Sequence, residues 1–295
     1  MHQAIIGERL HQVTRATRRT YAHLQPHSPG HFIKAHSDGK VKRAAGLSSP
    51  VNGIIRTMNL LLLHPEDRLN DDRWSIADRR ARHIRDVLAL TTGARLRAGL
   101  LNDGIGEATL LDDDGQTMTL SFRPTLPPPP VLPLTLILAL PRPKMLKRIL
   151  IDAASLGIKR IVLLNSWKVE KSYWHTPELH AGLLREKLIL GLEQSGDTKL
   201  PELLLRDRFK PFVEDELPAL IADTRALLAH PGLHPPMPMN LQEAVTLAIG
   251  PEGGWTDYEA SQLIAAGFQC HAFGQRILRV ETALPALVGR IMTLP

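Results

Sequence analysis

The sequence predicts an α/β protein in which a mostly parallel sheet, covered by helices on both faces, follows a small β-rich domain. Three observations carry this. From residue 134 onward, apolar runs without alternation take turns with segments of helical period. From 58 to 126 the apolar runs are short and separated by turn residues, and a proline cluster stands between the two regions.

The elements follow in order. Residues 1–57 carry six of the thirteen histidines and are punctuated by Pro26, Pro29, Gly30, Gly39, Gly46 and Pro50 without sustained period, so they are expected to be poorly ordered. They read either as a basic arm that folds on RNA or as an extension ahead of a true start at Met58. From Met58, the runs Leu60 to Leu63, Leu96 to Leu101, Glu107 to Leu111 and Thr117 to Phe122 read as strands, with turns at Asn102-Asp103-Gly104 and Asp112 to Gly115. One helix interrupts them, since Ile76, Ala77, Ile84, Val87 and Leu88 recur at near-helical spacing. Its basic face, Arg79, Arg80, Arg82 and Arg85, is either a phosphate grip or a solvated charge stripe.

Pro124, Pro127 to Pro130 and Pro133 define a semi-rigid linker, placed at 127–133. The second domain, 134–295, then alternates: strand Leu134 to Leu140, helix Lys144 to Leu156, strand Ile161 to Asn165, helix Pro177 to Gln194, and a helix over Glu214 to Ala229. Strand Ala244 to Ile249, helix Thr256 to Ala266, strand Phe268 to Phe273 and helix Glu281 to Met292 complete it.

Composition narrows the function classes. The chain has 295 residues, 43% of them hydrophobic, enough to bury a sizeable core. No apolar run approaches the roughly 18 to 20 residues of a membrane span, no secretory h-region is present, and Cys270 is the lone cysteine. A soluble, cytoplasmic protein without disulfides or a membrane partner is expected. The net charge of +6 is unevenly spread: residues 1–57 hold nine Lys or Arg against two acidic residues, which leaves the remainder at −1. Bulk basicity therefore does not show that the body binds nucleic acid; local patches must.

The chemistry concentrates in two stretches. Leu247-Ala248-Ile249-Gly250-Pro251-Glu252-Gly253-Gly254-Trp255-Thr256 runs from a buried strand into a glycine-rich turn and a helix, and Thr256 with Glu259 forms a capping-box signature. Phe273-Gly274-Gln275-Arg276-Ile277-Leu278-Arg279-Val280-Glu281-Thr282-Ala283 repeats that form: strand end, glycine, charged loop, helix start. Neither matches the dinucleotide or P-loop phosphate cradles, no Cys or His set has metal-ligand spacing, and no Gly-x-Ser-x-Gly elbow is present. Metal and serine-hydrolase chemistry are not expected.

Together the two stretches resemble the ribosomal RNA small subunit methyltransferase E family of the SPOUT superfamily. The resemblance rests on Gly250 to Gly254, Glu259, Gly274, Arg276 to Arg279 and Glu281 to Ala283. It is supported by Glu193-Gln194-Ser195, Lys144 and His83 to Leu88. This chain departs from the family pattern at Ser155-Leu156-Gly157, at Trp255 and in the loop Trp167 to Ser172.

The resemblance implies a trefoil-knotted methyltransferase domain behind a PUA-like RNA-binding domain, working as a homodimer. It also implies S-adenosyl-L-methionine as cofactor, S-adenosyl-L-homocysteine as product, and N3 of a uridine in 16S rRNA of the small ribosomal subunit as acceptor. Leu247, Gly250, Pro251, Glu252, Gly253, Gly254, Phe273, Gly274, Ile277, Leu278 and Thr282 would hold the cofactor. Arg279, then Arg276, would stabilise the uracil anion, and Arg79, Arg80, Arg82, Arg85 and Lys144 would bind RNA. A related knotted enzyme acting on tRNA, and a non-catalytic RNA-binding assembly factor, are the alternatives.

Overall fold

The computed structural model describes residues 59–293, so the expectations for 1–57 lie outside the described residues. The first part is a five-stranded sheet of β1 (Leu61–Leu63), β2 (Arg73–Ile76), β3 (Arg95–Leu100), β4 (Ile105–Asp113) and β5 (Met118–Phe122), in the order β1-β3-β4-β5-β2. Helix α1 (Arg79–Asp86) follows β2. Strand β2 is absent from the sequence reading because its four residues, RWSI, are too short to show a period. Trp74 anchors it, meeting Phe122 edge to face and donating its indole N–H to the Phe122 carbonyl at 3.0 Å.

Alternation along β1 divides its side chains between two cores. Leu61 and Leu63 pack with Trp74, Ile84, Leu110 and Phe122, whereas Leu60 and Leu62 join Leu132, Leu136 and the larger core of the second part. Polar contacts reinforce the junction: the backbone N–H of Asn102 donates to the Thr198 carbonyl, the Thr198 hydroxyl to the Asp103 carbonyl, and Arg79 grips Glu193 through two bonds of 2.9 Å.

The second sheet is entirely parallel, ordered β11-β9-β10-β6-β7-β8. It comprises β6 (Leu132–Ala139), β7 (Ile158–Leu164), β8 (Glu202–Arg206), β9 (Arg225–Ala229), β10 (Val245–Ile249) and β11 (Gln269–His271). Helices α2 (Pro143–Ser155), α3 (Ala181–Ser195), α6 (Asp257–Ala265) and α7 (Val280–Ile291) connect or cover these strands. Between β8 and β9 lie α4 (Phe209–Pro211), a π turn (Phe212–Glu216) and α5 (Leu217–Ile221). Pro218 has no N–H for the carbonyl one turn back, and the helix widens just before it.

Three expectations are corrected here. The helix read over Glu214 to Ala229 ends at Ile221, and Arg225–Ala229 is a strand. Ala226, Leu227 and Leu228 favour helix by propensity, but as a strand between β10 and β11 they are buried on both faces, and tertiary packing overrides propensity. The linker read at 127–133 is shorter, because β6 starts at Leu132. Strand β8 was also missed, and the helix read from Pro177 begins at Ala181 after two 3-10 turns.

The segment before β10 laces through the C-terminal elements. Met237 N–H donates to the Ala272 carbonyl beyond β11, and Asn240 and Leu241 N–H donate to carbonyls of Arg290 and Ile291 at the end of α7. Among the described residues no helix is long and apolar enough to cross a membrane.

Candidate functional site

Strands β9, β10 and β11 are adjacent and parallel, so their carboxyl ends open side by side at one edge of the sheet. The three loops that leave them enclose one cleft: Ala229 to Pro231 after β9, Gly250, Pro251, Glu252 and Gly254 after β10, and Phe273, Gly274, Arg276, Ile277 and Leu278 after β11. Ile249, Val280, Ala283 and Leu287 form its floor. It is an apolar slot rimmed by backbone and a few polar groups, the usual form of a small-molecule site.

The glycine turn is fixed from outside the cleft. Thr256 caps α6 by accepting the Glu259 N–H, while the Glu259 carboxylate, 3% exposed, accepts from the Thr256 N–H and hydroxyl. Its other oxygen accepts the Trp167 N–H at 2.7 Å, tying in the loop after β7. Lys168 donates to the Gly253 carbonyl at 2.8 Å, and Glu252 accepts the Arg142 N–H at 3.0 Å. Three loops, those after β6, β7 and β10, thus hold one another at this edge.

The glycines divide the work. Gly254 takes φ +68° and Gly274 φ +78°, conformations that L side chains rarely adopt. A Cβ on Gly250 would lie 3.0 Å from the Trp255 nitrogen, so a side chain there would push the turn open by a few tenths of an ångström. Gly253 lies outside the cleft lining, and its Cβ would meet the Lys168 side chain.

Other predicted residues fall as follows. Leu247 is buried within β10, and Thr282 is exposed in the first turn of α7; neither lines the cleft. Arg276 does line it, whereas Arg279, 85% exposed, caps α7 beside Glu281 at 3.9 Å and is absent from the lining.

On α1 the expected basic grip is largely spent on carboxylates. Arg80, 5% exposed, binds Asp67 and Asp78 and the Leu62 carbonyl, which makes it a structural arginine with no face toward a phosphate. Arg85 pairs with Asp113 and Arg79 with Glu193; Arg82 is exposed without an ion pair among the described residues. Lys144 is exposed at the start of α2.

Sequence reading missed His230. It stands at the end of β9, which had been read as helix, and so its place at a strand terminus was hidden. It lines the cleft with a buried Nδ1 that lacks a hydrogen-bond partner. Burial, then the neighbouring His234 with ring centroids 5.6 Å apart, holds its pKa below the ordinary imidazole value, so the ring is neutral at pH 7.

Comparison with known proteins agrees with this geometry. Residues 127–292 match the model of the RNA methyltransferase domain family. Ribosomal RNA small subunit methyltransferase E of Treponema pallidum is 33% identical over 245 residues, 80% of this chain and 91% of that protein. Its namesake in Synechocystis is 34% identical over 215 residues, 70% of this chain and 65% of that protein. Among solved structures, ribosomal RNA small subunit methyltransferase E of Neisseria gonorrhoeae, bound to S-adenosyl methionine, superposes with TM-score 0.63 at 23% identity, over 79% of this chain and 96% of that one. A putative methyltransferase of Legionella pneumophila, also holding S-adenosyl methionine, gives 0.62 at 21% identity, over 78% and 96%. This chain belongs to the RNA methyltransferase domain family and, within it, to the ribosomal RNA small subunit methyltransferase E proteins.

Proposed function

We propose that the protein transfers a methyl group from S-adenosyl-L-methionine to N3 of a uridine in 16S rRNA of the small ribosomal subunit. The observation that carries this reading is the convergence of three strand-end loops, two of them the glycine stretches, on one apolar cleft. The residues present fit the cofactor: Ile249, Phe273, Leu278 and Leu287 offer an apolar bed, and Gly250, Gly254 and Gly274 keep backbone groups free of side chains. When bound, the cofactor supplies a methyl group already activated on sulfonium, and the chain's own task is to orient the base and manage its charge.

N3 of neutral uracil carries a proton, so charge spreads to the flanking carbonyls as that proton passes to solvent water and the N3–methyl bond replaces the sulfur–methyl bond, and a cation in the cleft stabilises that charge. Arg276 takes this role first, because it lines the cleft, and Arg279 second, because it stands outside the lining. Arg276→Ala should then lower kcat by on the order of a hundredfold with cofactor affinity kept, and Arg279→Ala should act mainly on RNA affinity. Single-turnover methylation beside binding titrations separates the two; a normal single-turnover rate in Arg276→Ala at saturating RNA would return the role to Arg279.

The lacing of residues 237–241 around β11 and the end of α7 supports a trefoil knot. The five-stranded sheet is read as the PUA-like RNA-binding part, the working form as a homodimer, and the cytoplasm, where ribosomes assemble, as the location. The biological test is nucleoside analysis of rRNA from a deletion strain. Loss of 3-methyluridine and its return on complementation is the expected result; an unchanged content would remove the assignment.

A further inference from the structure

We propose that Trp167 is a stacking platform for an unpaired base of the RNA, set on a cationic track that runs from the cleft along the carboxyl edge of the sheet. This rests on the reading of the protein as an RNA methyltransferase. Trp167 is 86% exposed, whereas Trp74 and Trp255 are buried. Covering a large indole that stands in water is favourable, and here the backbone beneath it is pinned by the 2.7 Å bond from the Trp167 backbone N–H to the buried Glu259. The side chain after it, Lys168, is tied to the glycine turn at Gly253. The indole therefore stands in water on a fixed mount, in the loop that is bonded to the glycine turn and outside the lining of the cleft.

Charge continues the surface in the same direction. Strand β6 neighbours β10 and β7 lies next beyond it, and the loop after β7 reaches the glycine turn through Trp167 and Lys168. The loops after β6 and β7 and the helix starts they feed carry Arg142, Lys144, Lys168 and Lys171, all exposed. Among the described residues no carboxylate forms an ion pair with Lys144 or Lys171, and Arg142 reaches Glu252 only at 4.0 Å. Exposed cations around one exposed aromatic ring, Lys144 and Lys171 without a carboxylate partner among the described residues, suit single-stranded nucleic acid, in which lysines and arginines follow the phosphates and bases lie on π faces. An acceptor nitrogen on the pairing edge of uracil requires the base to be unpaired or extruded at the cleft, and the track supplies a place for a neighbouring unpaired base.

The test compares Trp167→Ala and Trp167→Phe with the unaltered full chain. A fluorescently labelled single-stranded uridine-rich RNA and an abasic ribose-phosphate strand of equal length are titrated at fixed salt. Trp167→Ala should weaken binding of the base-bearing RNA by on the order of tenfold and leave the abasic strand unaffected, and Trp167→Phe should restore most of the loss. Equal affinity of Trp167→Ala and the unaltered protein for the base-bearing RNA would overturn the proposal. So would a change in sedimentation mass in Trp167→Ala, which would assign the indole to a contact between copies of this chain. Calorimetric titration with S-adenosylmethionine is run in parallel: if the unaltered protein fails to bind it, the enzymatic reading falls, while the base-dependent difference between the two RNA probes still decides the role of Trp167.

Discussion

Gly254 carries the left-handed backbone that turns the chain from β10 toward α6, and Gly253 beside it does not. The two should separate on substitution. Gly254→Val puts a β-branched residue at φ +68°, which costs roughly 1 to 3 kcal/mol in strain and re-aims the turn. Cofactor affinity should drop at least tenfold by calorimetry, with Gly253→Ala, which only pushes on the flexible side chain of Lys168, staying within a few-fold of normal. Equal losses would place the cofactor on the other face of the turn.

His230 gives the cleft a pH dependence whose sign follows from its depressed pKa. Its neutral form contributes stability that is fully present above the ordinary imidazole value of 6.5 and is lost as pH falls toward and through the lower folded value. As the ring protonates, an imidazolium would also sit in a cleft meant for a sulfonium cation, so cofactor affinity should hold above the ordinary imidazole value and weaken as pH falls through the lower folded one. His234 and Lys168 add to the repulsion and Asp257 opposes it. His64, buried near Arg80, is depressed as well, so the informative quantity is the difference between the unaltered chain and His230→Gln. That variant should show a flatter profile for cofactor binding.

At the scale of elements, Glu259 joins a helix cap to the loop after β7, and one carboxylate accepts three hydrogen bonds. Glu259→Gln replaces one accepting oxygen with a donor and leaves a buried N–H or hydroxyl without its partner, at a cost of about 1 to 3 kcal/mol. Urea unfolding should show this as a lower midpoint with unchanged slope, and an unchanged midpoint would mean that the cap is redundant.

The strands flanking this turn also show what was legible in the sequence. β10 and the capping box could be read directly, because an apolar run, glycines and Thr256 with Glu259 are all local signals. β9 could not, because Ala226-Leu227-Leu228 carries no period that distinguishes a buried strand from a helix. His230 was lost with it. The α1 arginines were legible as basic but not as paired, since Asp67, Asp78, Asp113 and Glu193 meet them only after folding.

For the whole molecule, Leu60 and Leu62 bind the first sheet into the core of the second, so the RNA-binding and catalytic parts proposed here are continuous rather than loosely tethered. The order of strands explains why distant sequence stretches share a site: β10 enters between β6 and β9, which brings the turn at 250–254 and the loop at 273–278 to one edge. The most direct measurement incubates the full chain with methyl-labelled S-adenosylmethionine and, separately, with small ribosomal subunits lacking the modification, naked 16S rRNA, and tRNA, followed by nucleoside analysis. The account predicts label in 3-methyluridine from the small-subunit RNA, absent in tRNA and reduced about a hundredfold in rate with Arg276→Ala. Label found in tRNA, on a ribose, or in no RNA at all would contradict it.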